Sequence, residues 1–367
     1  MRAPVGGLFR HVLDLAAEQA AQGHEVGILA DATASDALTD QRFAAVAPRL
    51  ALGIRRIAMN RRPGIGDAGA VRAVAAHAKS LGLDVLHGHG AKGGAYARLA
   101  GRFLRRGNSR RVAVFYTPHG GTLNFPAGSM EGRVYLRLER ILAGLTSGII
   151  FESDFARRTF AERVGQLAML QRVVPNGLQP SDFAPHEPDE CAADFVFIGE
   201  LRDIKGVDVL LRALRRLNDE KPVSAKIAGS GPHAERFQML ARELRLERVV
   251  EFTGAMPAAA AFKLGRALVV PSLKESFPYV VLEGAAAGLP LVATDAGGIP
   301  EIVADTDTGL VPTGDDATLA ALMRSVCGDR QAAIARAERL RQHVQAKFTV
   351  ARMTSDILAF YAGAGSR

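Results

Sequence analysis

The chain has 367 residues, of which 48% are apolar and 23% charged, a globular composition on a length greater than the roughly 100–200 residues of one domain. No apolar run is long enough for a transmembrane helix, and the N-terminus lacks the apolar core of a signal peptide. The net charge of +8 is uneven, because residues 1–185 carry 24 Lys and Arg against 14 Asp and Glu. The two cysteines lie far apart and are predicted to be free thiols in a reducing cytoplasm.

Short apolar runs alternate with helical patterns along the chain. The predicted strands are 25–31, 55–59, 84–89, 111–117, 148–153 and 172–175 in the first half, and 194–201, 225–229, 249–254, 268–272, 290–294 and 309–313 in the second. Such alternation indicates parallel sheets with helices on both faces. Eleven or twelve strands are too many for one such sheet, so we predict an α/β protein with two Rossmann-like, doubly wound domains. The join is predicted within residues 175–194, which hold four prolines.

Polar and glycine residues follow the strands, at the edge where open α/β sheets bind ligands. His119 follows the fourth strand, and Arg202 and Lys205 follow the seventh, where they could neutralise a diphosphate. Gly229 ends the eighth, where a missing side chain lets a ligand approach the backbone. Two such edges facing each other would form a cleft, the usual kind of ligand site.

Two glutamates, Glu275 and Glu283, stand with seven residues between them. Pro278 suits a first helical turn, so Glu275 is expected in a loop and Glu283 one or two turns inside the following helix. Both carboxylates could then point into one cleft and hold the hydroxyls of an extended ligand. The alternative is that both are solvated surface residues.

Three histidines of the first half receive no role from this reasoning. His87 and His89 are predicted to point to opposite faces of their strand, which would make them poor joint metal ligands. His11 is assigned to a helix or turn. No metal site is therefore predicted.

The excess positive charge concentrates in residues 102–111, which contain five arginines, Arg102, Arg105, Arg106, Arg110 and Arg111. They could attract an anionic membrane surface or a phosphate-bearing acceptor. Nucleic acid is disfavoured as a partner because no aromatic residues alternate with them for base stacking. The remaining alternative is a solvated helix end.

Taken together, the segments GGLFRHVLDLAAEQAAQGHEV, HGHGAKGG, YTPHGG, VVPNGL, GELRDIKGVDVLLRAL, AGSGP, ESFPYVVLEGAAAGLPLVAT and GGIPEIV resemble the retaining glycosyltransferases of the GT-B fold, family 4 type. The resemblance covers nearly the whole chain. It implies an acceptor-side N-terminal domain at 1–178 with a closing helix from 348–367, and a nucleotide-sugar-binding domain at 190–347.

By this resemblance, Glu275 would contact hydroxyls of the transferred sugar, and Glu283 the ribose of the nucleotide. His119 would lie near the reaction centre, Lys205 would bind phosphate, and Gly7 would lie close to the diphosphate. Gly229, Ser276 and Phe277 are assigned to donor binding.

Two positions depart from the family pattern. Glu200 stands where the family usually has a phosphate-binding arginine, and Arg202 follows two residues later. Such a shift keeps the side of a strand, so Arg202 could serve instead. Ser276 and Pro278 flank Phe277 in place of the usual glycines, which leaves fewer backbone amides near the sugar.

The resemblance implies a cytoplasmic hexosyltransferase, at work near the inner face of the membrane, that moves a sugar from a UDP- or GDP-sugar to a saccharide or lipid-linked acceptor with retention. The setting would be bacterial surface polysaccharide synthesis, with the acceptor on the basic N-terminal domain. No metal or other cofactor is expected. The alternatives are a nucleotide-sugar epimerase on the same fold and an inactive binding protein.

One expected element is missing from the sequence. A Rossmann-like domain begins with its central strand, yet only MRAPV precedes Gly6, and Pro4 and Arg2 make it a poor central strand. We therefore expect the N-terminal sheet to lack its first strand beside residues 25–31, and the natural start to lie upstream of Met1.

Overall fold

A computed structural model describes residues 1–2, 6–33, 37–60, 64–107, 112–121, 128–184 and 186–365, apart from the side chains of residues 106, 107 and 365. The chain separates into two compact units. Unit 1 comprises Met1–Gly177 and Val350–Arg367, and unit 2 comprises Leu178–Thr349. None of the helices in the described ranges has the combination of length and hydrophobicity that a bilayer span requires.

Unit 1 alternates helices with short parallel strands. Its elements are α1 Gly6–Ala21, β1 Ile28–Asp31, α2 Ala37–Val46, β2 Ile54–Ile57, α3 Gly66–Leu81, β3 Val85–His89, α4 Gly90–Gly107, β4 Ala113–Thr117, α5 Met130–Ala143, β5 Gly148–Phe151, α6 Asp154–Val164, β6 Leu170–Val173 and α14 Val350–Gly365. The strands form two separate parallel sheets, one of β1 and β2 and one in the order β3-β4-β5-β6.

The N-terminal end of unit 1 lies against β1. Among the described residues no strand precedes α1, as expected. The Met1 ammonium group donates to the Leu29 carbonyl at 2.7 Å, and the Asp31 amide donates to the Met1 carbonyl at 3.1 Å. Within the described residues, β1 and β2 form a sheet of their own and do not join the sheet of β3, β4, β5 and β6. The expected start upstream of Met1 stays a prediction.

The last helix, α14, is an integral part of unit 1. Its buried residues Val350, Met353 and Ile357 form one apolar cluster with Leu15 of α1 and Ile150 of β5. Its apolar face therefore covers the sheet and the first helix together, as the helical spacing of those residues favours.

Unit 2 contains a single six-stranded sheet. Its elements are β7 Phe195–Ile198, α7 Val207–Asn218, β8 Ala225–Ala228, α8 Ala234–Glu243, β9 Val250–Gly254, α9 Ala258–Phe262, β10 Leu268–Val270, α10 Tyr279–Ala286, β11 Leu291–Thr294, α11 Ile299–Val303, β12 Leu310–Val311, α12 Asp316–Gly328 and α13 Arg330–Lys347. The sheet is parallel with the order β12-β11-β10-β7-β8-β9. One apolar cluster packs α7, α8 and α12 against it, and another packs α10, α11 and α13.

This strand order creates a switch point. From β7 the chain moves to β8 and β9 on one side, then crosses to β10, β11 and β12 on the other. Helices that leave β7 and β10 therefore depart in opposite directions, which opens a crevice at the carboxyl ends of those two strands. The predicted α/β class with two Rossmann-like domains is confirmed, and every predicted strand segment contains or overlaps an observed strand.

Candidate functional site

Two loops of unit 2 meet at its switch point. The loop after β7 carries Lys205 and the loop after β10 carries Glu275, and the Leu273 amide donates to the Ile204 carbonyl at 2.8 Å to tie the two loops together. Lys205 Nζ lies 2.6 Å from Glu275 Oε1, a charge-assisted hydrogen bond. The structure thus joins two predicted site residues at the edge where open α/β sheets bind ligands.

The Glu275 carboxylate is held from several directions. Ser272 Oγ donates to Glu275 Oε1 at 2.7 Å, and only 8% of the glutamate side chain is exposed. Gly297, with φ of 62°, packs so closely beneath this loop that a Cβ there would lie 1.9 Å from the Glu275 carbonyl oxygen. Glycine is therefore required at that position, and the carboxylate is fixed before any ligand arrives.

Glu283 lies on the helix that follows. Pro278 caps α10 with an extended backbone, and α10 runs Tyr279–Ala286, so Glu283 is in its second turn, where it is half-buried. The predicted placement, with one glutamate in the loop and the other inside the helix, is confirmed.

Gly229 brings the loops after β7 and β8 together. Its amide donates to the Gly254 carbonyl at 2.8 Å, and a Cβ on Gly229 would lie 1.9 Å from the Gly199 carbonyl oxygen. The two backbones touch at this point, so no side chain larger than glycine fits between them.

Arg202 lies on the surface of the loop after β7. Its side chain is 46% exposed, and its guanidinium lies 3.6 Å from Glu200. The argument that a two-residue shift keeps the side of a strand is wrong here, because β7 ends at Ile198, before both residues. Phosphate binding by Arg202 stays a prediction. It now depends on the position of Arg202 in the loop and no longer on the alternation of side chains along a strand.

Three other predicted donor residues differ in their surroundings. Phe277 is 4% exposed and packs edge-on against Phe348, with ring centroids 5.6 Å apart, so its side chain belongs to the core of unit 2. Ser276 is half-buried, and its carbonyl accepts the Gly298 amide at 2.9 Å. Gly7 is exposed in the first turn of α1, in unit 1. Their assignment to donor binding stays a prediction.

In unit 1, His119 is held in a strained position directly after β4. It adopts a positive φ of 50°, unusual for a residue with a side chain. His119 Nδ1 lies 2.7 Å from Glu152 Oε1, and the two side chains are 7% and 3% exposed. Burial raises the pKa of Glu152, but the charge of His119 and its hydrogen bond outweigh this, so the pKa is lowered overall. The carboxylate therefore orients the imidazole.

Two further histidines adjoin His119. His89 Nδ1 lies 3.1 Å from His119 Nε2, and the His11 ring packs edge-on against the His119 ring at 4.8 Å between centroids. His11 Nδ1 lies 2.9 Å from Asn176 Oδ1. The candidate site of unit 1 is therefore a cluster of imidazoles, and not the single histidine predicted.

The predicted orientation of His87 and His89 is wrong. Positions two apart in a strand lie on the same face, and the two rings are 4.0 Å apart. His87 nevertheless has its own partners, the Tyr361 hydroxyl at 2.5 Å from Nδ1 and the Thr117 hydroxyl at 2.8 Å from Nε2. His89 could have been predicted from the alternation of side chains along its strand, and His11 from its place on the buried face of α1. No local sequence pattern indicated Glu152.

Burial favours the neutral form of the His11, His87 and His89 imidazoles. Burial, followed by the neighbouring charge of His119, lowers the pKa of His11 to about 3. Burial and the surrounding imidazoles lower the pKa of His87 and His89 well below the usual value. Neutral imidazole can accept a proton or a hydrogen bond from a ligand hydroxyl, which is the chemistry the cluster offers.

Comparison with known families matches both halves of the chain. Residues 192–329 match the family described as Glycosyl transferases group 1, and residues 5–182 match Glycosyltransferase Family 4. The glycogen synthase of Mycobacterium tuberculosis is 30% identical over 96% of this chain and 91% of its own length.

Two further proteins resemble this chain. A GDP-mannose-dependent alpha-(1-6)-phosphatidylinositol monomannoside mannosyltransferase of Mycolicibacterium smegmatis is 33% identical over 61% of this chain and 63% of its own. The crystal structure of Anabaena HepE in complex with UDP-glucose superposes with a TM-score of 0.80 at 19% identity, over 99% of this chain and 100% of that one. At that identity the superposition establishes the fold.

Proposed function

Because the chain belongs to the group 1 and family 4 glycosyltransferases, we propose that it moves a hexose from a nucleoside-diphosphate sugar to a saccharide or lipid-linked acceptor with retention of configuration. The proposed setting is the cytoplasm, in the synthesis of a bacterial surface polysaccharide. The observation that carries the proposal is the Lys205–Glu275 pair at the switch point of unit 2, with Glu283 on the next helix.

Lys205 and Glu275 would exchange partners when the donor binds. Lys205 Nζ and Glu275 Oε1 lie 2.6 Å apart, so the two charges neutralise each other. A diphosphate carries more negative charge than one carboxylate, so it would draw the Lys205 ammonium and leave Glu275 to accept hydrogen bonds from sugar hydroxyls. Glu283 would accept those of the ribose diol. The ion pair would thus keep the net charge of these two side chains at zero until the donor binds.

The leaving diphosphate would be stabilised without a metal. Lys205 is followed at once by the N-terminus of α7 at Val207, and backbone amides there point toward an incoming anion. Arg202 lies in the same loop and can add a second cation. Fixed positive groups of this kind stabilise the charge that develops on a leaving group.

His119 would serve the sugar side of the reaction. Glu152 accepts the hydrogen on Nδ1, so the lone pair is on Nε2, which now lies 3.1 Å from His89 Nδ1 and would turn to a ligand hydroxyl instead. The fixed ring could then hydrogen-bond a hydroxyl of the transferred sugar as charge develops at the anomeric carbon.

The named ligands of relatives support both donor classes. The mannosyltransferase is described as GDP-mannose-dependent, and HepE binds UDP-glucose. We therefore propose a UDP- or GDP-sugar as donor. The mannosyltransferase also carries a phosphatidylinositol mannoside in its name, which supports a lipid-linked acceptor.

A peripheral contact of unit 1 with an anionic membrane would bring such an acceptor to the enzyme. On α5, four apolar side chains that are 45–78% exposed form what we call the α5 stripe, Met130, Val134, Leu138 and Ile141. At about 100° per residue they fall within about 80° of one another, opposite the buried face of the helix. Exposed arginines flank the stripe on one side, at Arg133, Arg137 and Arg140.

This pairing of apolar and basic side chains suits an anionic lipid surface. Of the arginines first noted in residues 102–111, Arg102 and Arg105 are exposed near the end of α4, which contacts α5. Arg110 and Arg111, and the side chain of Arg106, lie outside the described part of the chain.

The proposal is tested with a panel of UDP- and GDP-sugars, each incubated with and without an acceptor extract from a polysaccharide-producing bacterium. We expect one donor to release its nucleoside diphosphate with acceptor present and the extract to become glycosylated. Conversion of a donor into its epimeric nucleotide sugar, without a glycosylated product, would favour the epimerase. Binding of a donor without turnover in any extract would favour the inactive binding protein.

A further inference from the structure

The imidazole cluster of unit 1 has the composition of a metal site. One ring nitrogen from each of His11, His89 and His119 lies within 4.8 Å of the others. The three rings come from α1, the end of β3 and the turn after β4, so three separate elements converge on one point. Imidazole nitrogen is the ligand that Zn²⁺ and its neighbours in the transition series share.

The hydrogen bonds around the cluster leave ring nitrogens facing inward. The Asn176 carbonyl oxygen, 2.9 Å away, is an acceptor, so His11 Nδ1 carries the hydrogen and Nε2 carries the lone pair. His11 is 1% exposed, yet within the described residues Nε2 has no hydrogen-bond partner. A buried acceptor without a partner is costly, and a bound cation would satisfy it.

Glu152 completes the arrangement. It holds His119 Nδ1 at 2.7 Å, which directs the His119 Nε2 lone pair toward His89. A carboxylate or carbonyl oxygen that accepts from the outer nitrogen is the usual support of a metal-bound histidine, because it fixes the tautomer and the ring orientation. Two of the three rings here have such a support.

We propose that His11, His89 and His119 bind one transition-metal ion of the Zn²⁺ class, with Glu152 and Asn176 as orienting groups. Three imidazoles leave the fourth position of a tetrahedral ion for water or a ligand oxygen. Tetrahedral ligands at about 2.1 Å are about 3.4 Å apart, so the widest pair of nitrogens must approach by up to about 1.4 Å. Rotation of the side chains can supply that shift.

His87 is excluded from the site although its ring is close. Both of its nitrogens are bonded to groups outside the cluster, the Tyr361 hydroxyl and the Thr117 hydroxyl. The bond between His89 Nδ1 and His119 Nε2, in contrast, joins two of the proposed ligands, and the metal would replace it. The ligand set is therefore specific, and it predicts which substitutions remove binding.

The consequence for activity rests on the proposed function. The proposed transfer needs no metal, and a metal on His119 Nε2 would occupy the nitrogen assigned to the sugar. The site would then be inhibitory.

Calorimetric titration of the tag-free, chelator-treated protein with Zn²⁺ alone tests the site. We expect one equivalent to bind, and binding to be lost in His11→Gln, His89→Gln and His119→Gln. Glu152→Gln should weaken it by roughly 10–100-fold. His24→Gln, which alters an exposed histidine, is the matched control and should bind as the wild type does. Circular dichroism identifies any variant that fails to fold.

Co²⁺ provides a second readout, because its visible spectrum reports nitrogen ligands in tetrahedral geometry. Absence of stoichiometric Zn²⁺ binding, or binding that His11→Gln and His119→Gln leave unchanged while both remain folded, would overturn the proposal. Stoichiometric binding by a protein that transfers no sugar would support the site and contradict the proposed function, so the two failures are distinguishable.

Discussion

Lys205 and Glu275 form an ion pair that was not predicted from the sequence. This pair changes the effect on nucleotide affinity that is expected from substituting either residue. Removal of the Glu275 carboxylate frees the Lys205 ammonium, now 2.6 Å away, for phosphate. We therefore expect Glu275→Ala to retain or raise affinity for the nucleoside diphosphate while turnover falls. Glu283→Ala should weaken that affinity by about 10–150-fold, since a hydrogen bond to a charged group contributes roughly 1.5–3 kcal/mol.

Isothermal titration with UDP and GDP, followed by turnover assays, measures both effects. Lys205→Gln serves as the comparison, because it should lose affinity where Glu275→Ala does not. An equal loss of nucleotide affinity in the two glutamate variants would contradict the assigned roles.

Arg98 is a buried charge with a single carboxylate partner among the contacts resolved. It is fully buried on α4, donates to Glu139 at 2.8 Å and lies over the Tyr116 ring at 4.0 Å. Arg98→Met should destabilise unit 1 by about 3–5 kcal/mol, because it removes one partner of a fully buried ion pair. The double variant Arg98→Met/Glu139→Leu should recover much of that loss.

Urea unfolding measures this difference, with Arg157→Met as the control. Arg157 pairs with Asp154 on the surface of α6, where an ion pair contributes less than about 1 kcal/mol. A double variant no more stable than Arg98→Met alone would show that packing, and not charge burial, dominates.

At the level of single residues, the candidate site of unit 2 was easier to predict from the sequence than the candidate site of unit 1. Lys205, Glu275 and Glu283 lie in short segments that follow predicted strands. Their place at the strand ends could therefore be predicted from the local sequence. The histidine cluster depends on contacts across long separations, such as the 165 positions between His11 and Asn176, which no local pattern reports. One feature of the cluster could have been predicted correctly: His87 and His89, two positions apart in a strand, lie on the same face, but they were predicted to lie on opposite faces.

The helix α5 carries the α5 stripe beside three exposed arginines. We expect the protein to sediment with vesicles containing anionic lipid at low salt, and the double substitution Val134→Glu/Ile141→Glu to abolish this. Each arginine near the lipid surface contributes about 1 kcal/mol to the binding free energy, and salt screens this electrostatic contribution. The contribution from inserting the apolar α5 stripe should persist at higher salt.

Ile334→Glu is the matched control for that experiment, because Ile334 is 60% exposed on α13 of unit 2. No sedimentation at low salt would end the membrane proposal. Loss of a self-associated species without any vesicle binding would indicate that a second copy of the chain covers the stripe instead.

At the level of elements, prediction was strongest for strands and for the start of α10. Most strands in the described residues are short, buried apolar runs, which made them recognisable, and Pro278 marks the helix start because it supplies no amide donor. Strand ends were less accurate. The sixth runs Leu170–Val173 instead of 172–175, since a half-exposed edge strand has no sharp hydrophobic boundary.

Across the whole molecule, the alternation of strands and helices determines the class, because parallel strands need a crossover helix between them. It cannot give the strand order. The switch point between β7 and β10 follows from pairings between residues some 70 positions apart, such as Leu268 with Val196. That order is what unites Lys205 with Glu275, so the site depends on information beyond the local sequence.

The proposed transfer with retention is tested most directly by following the anomeric proton by ¹H NMR during incubation of the protein and an acceptor with an α-configured donor such as UDP-glucose or GDP-mannose. We expect one donor to disappear while nucleoside diphosphate and a new α-glycoside accumulate together, and we expect Glu275→Ala to slow both equally. A β-glycoside, or loss of donor with no glycoside formed, would contradict it.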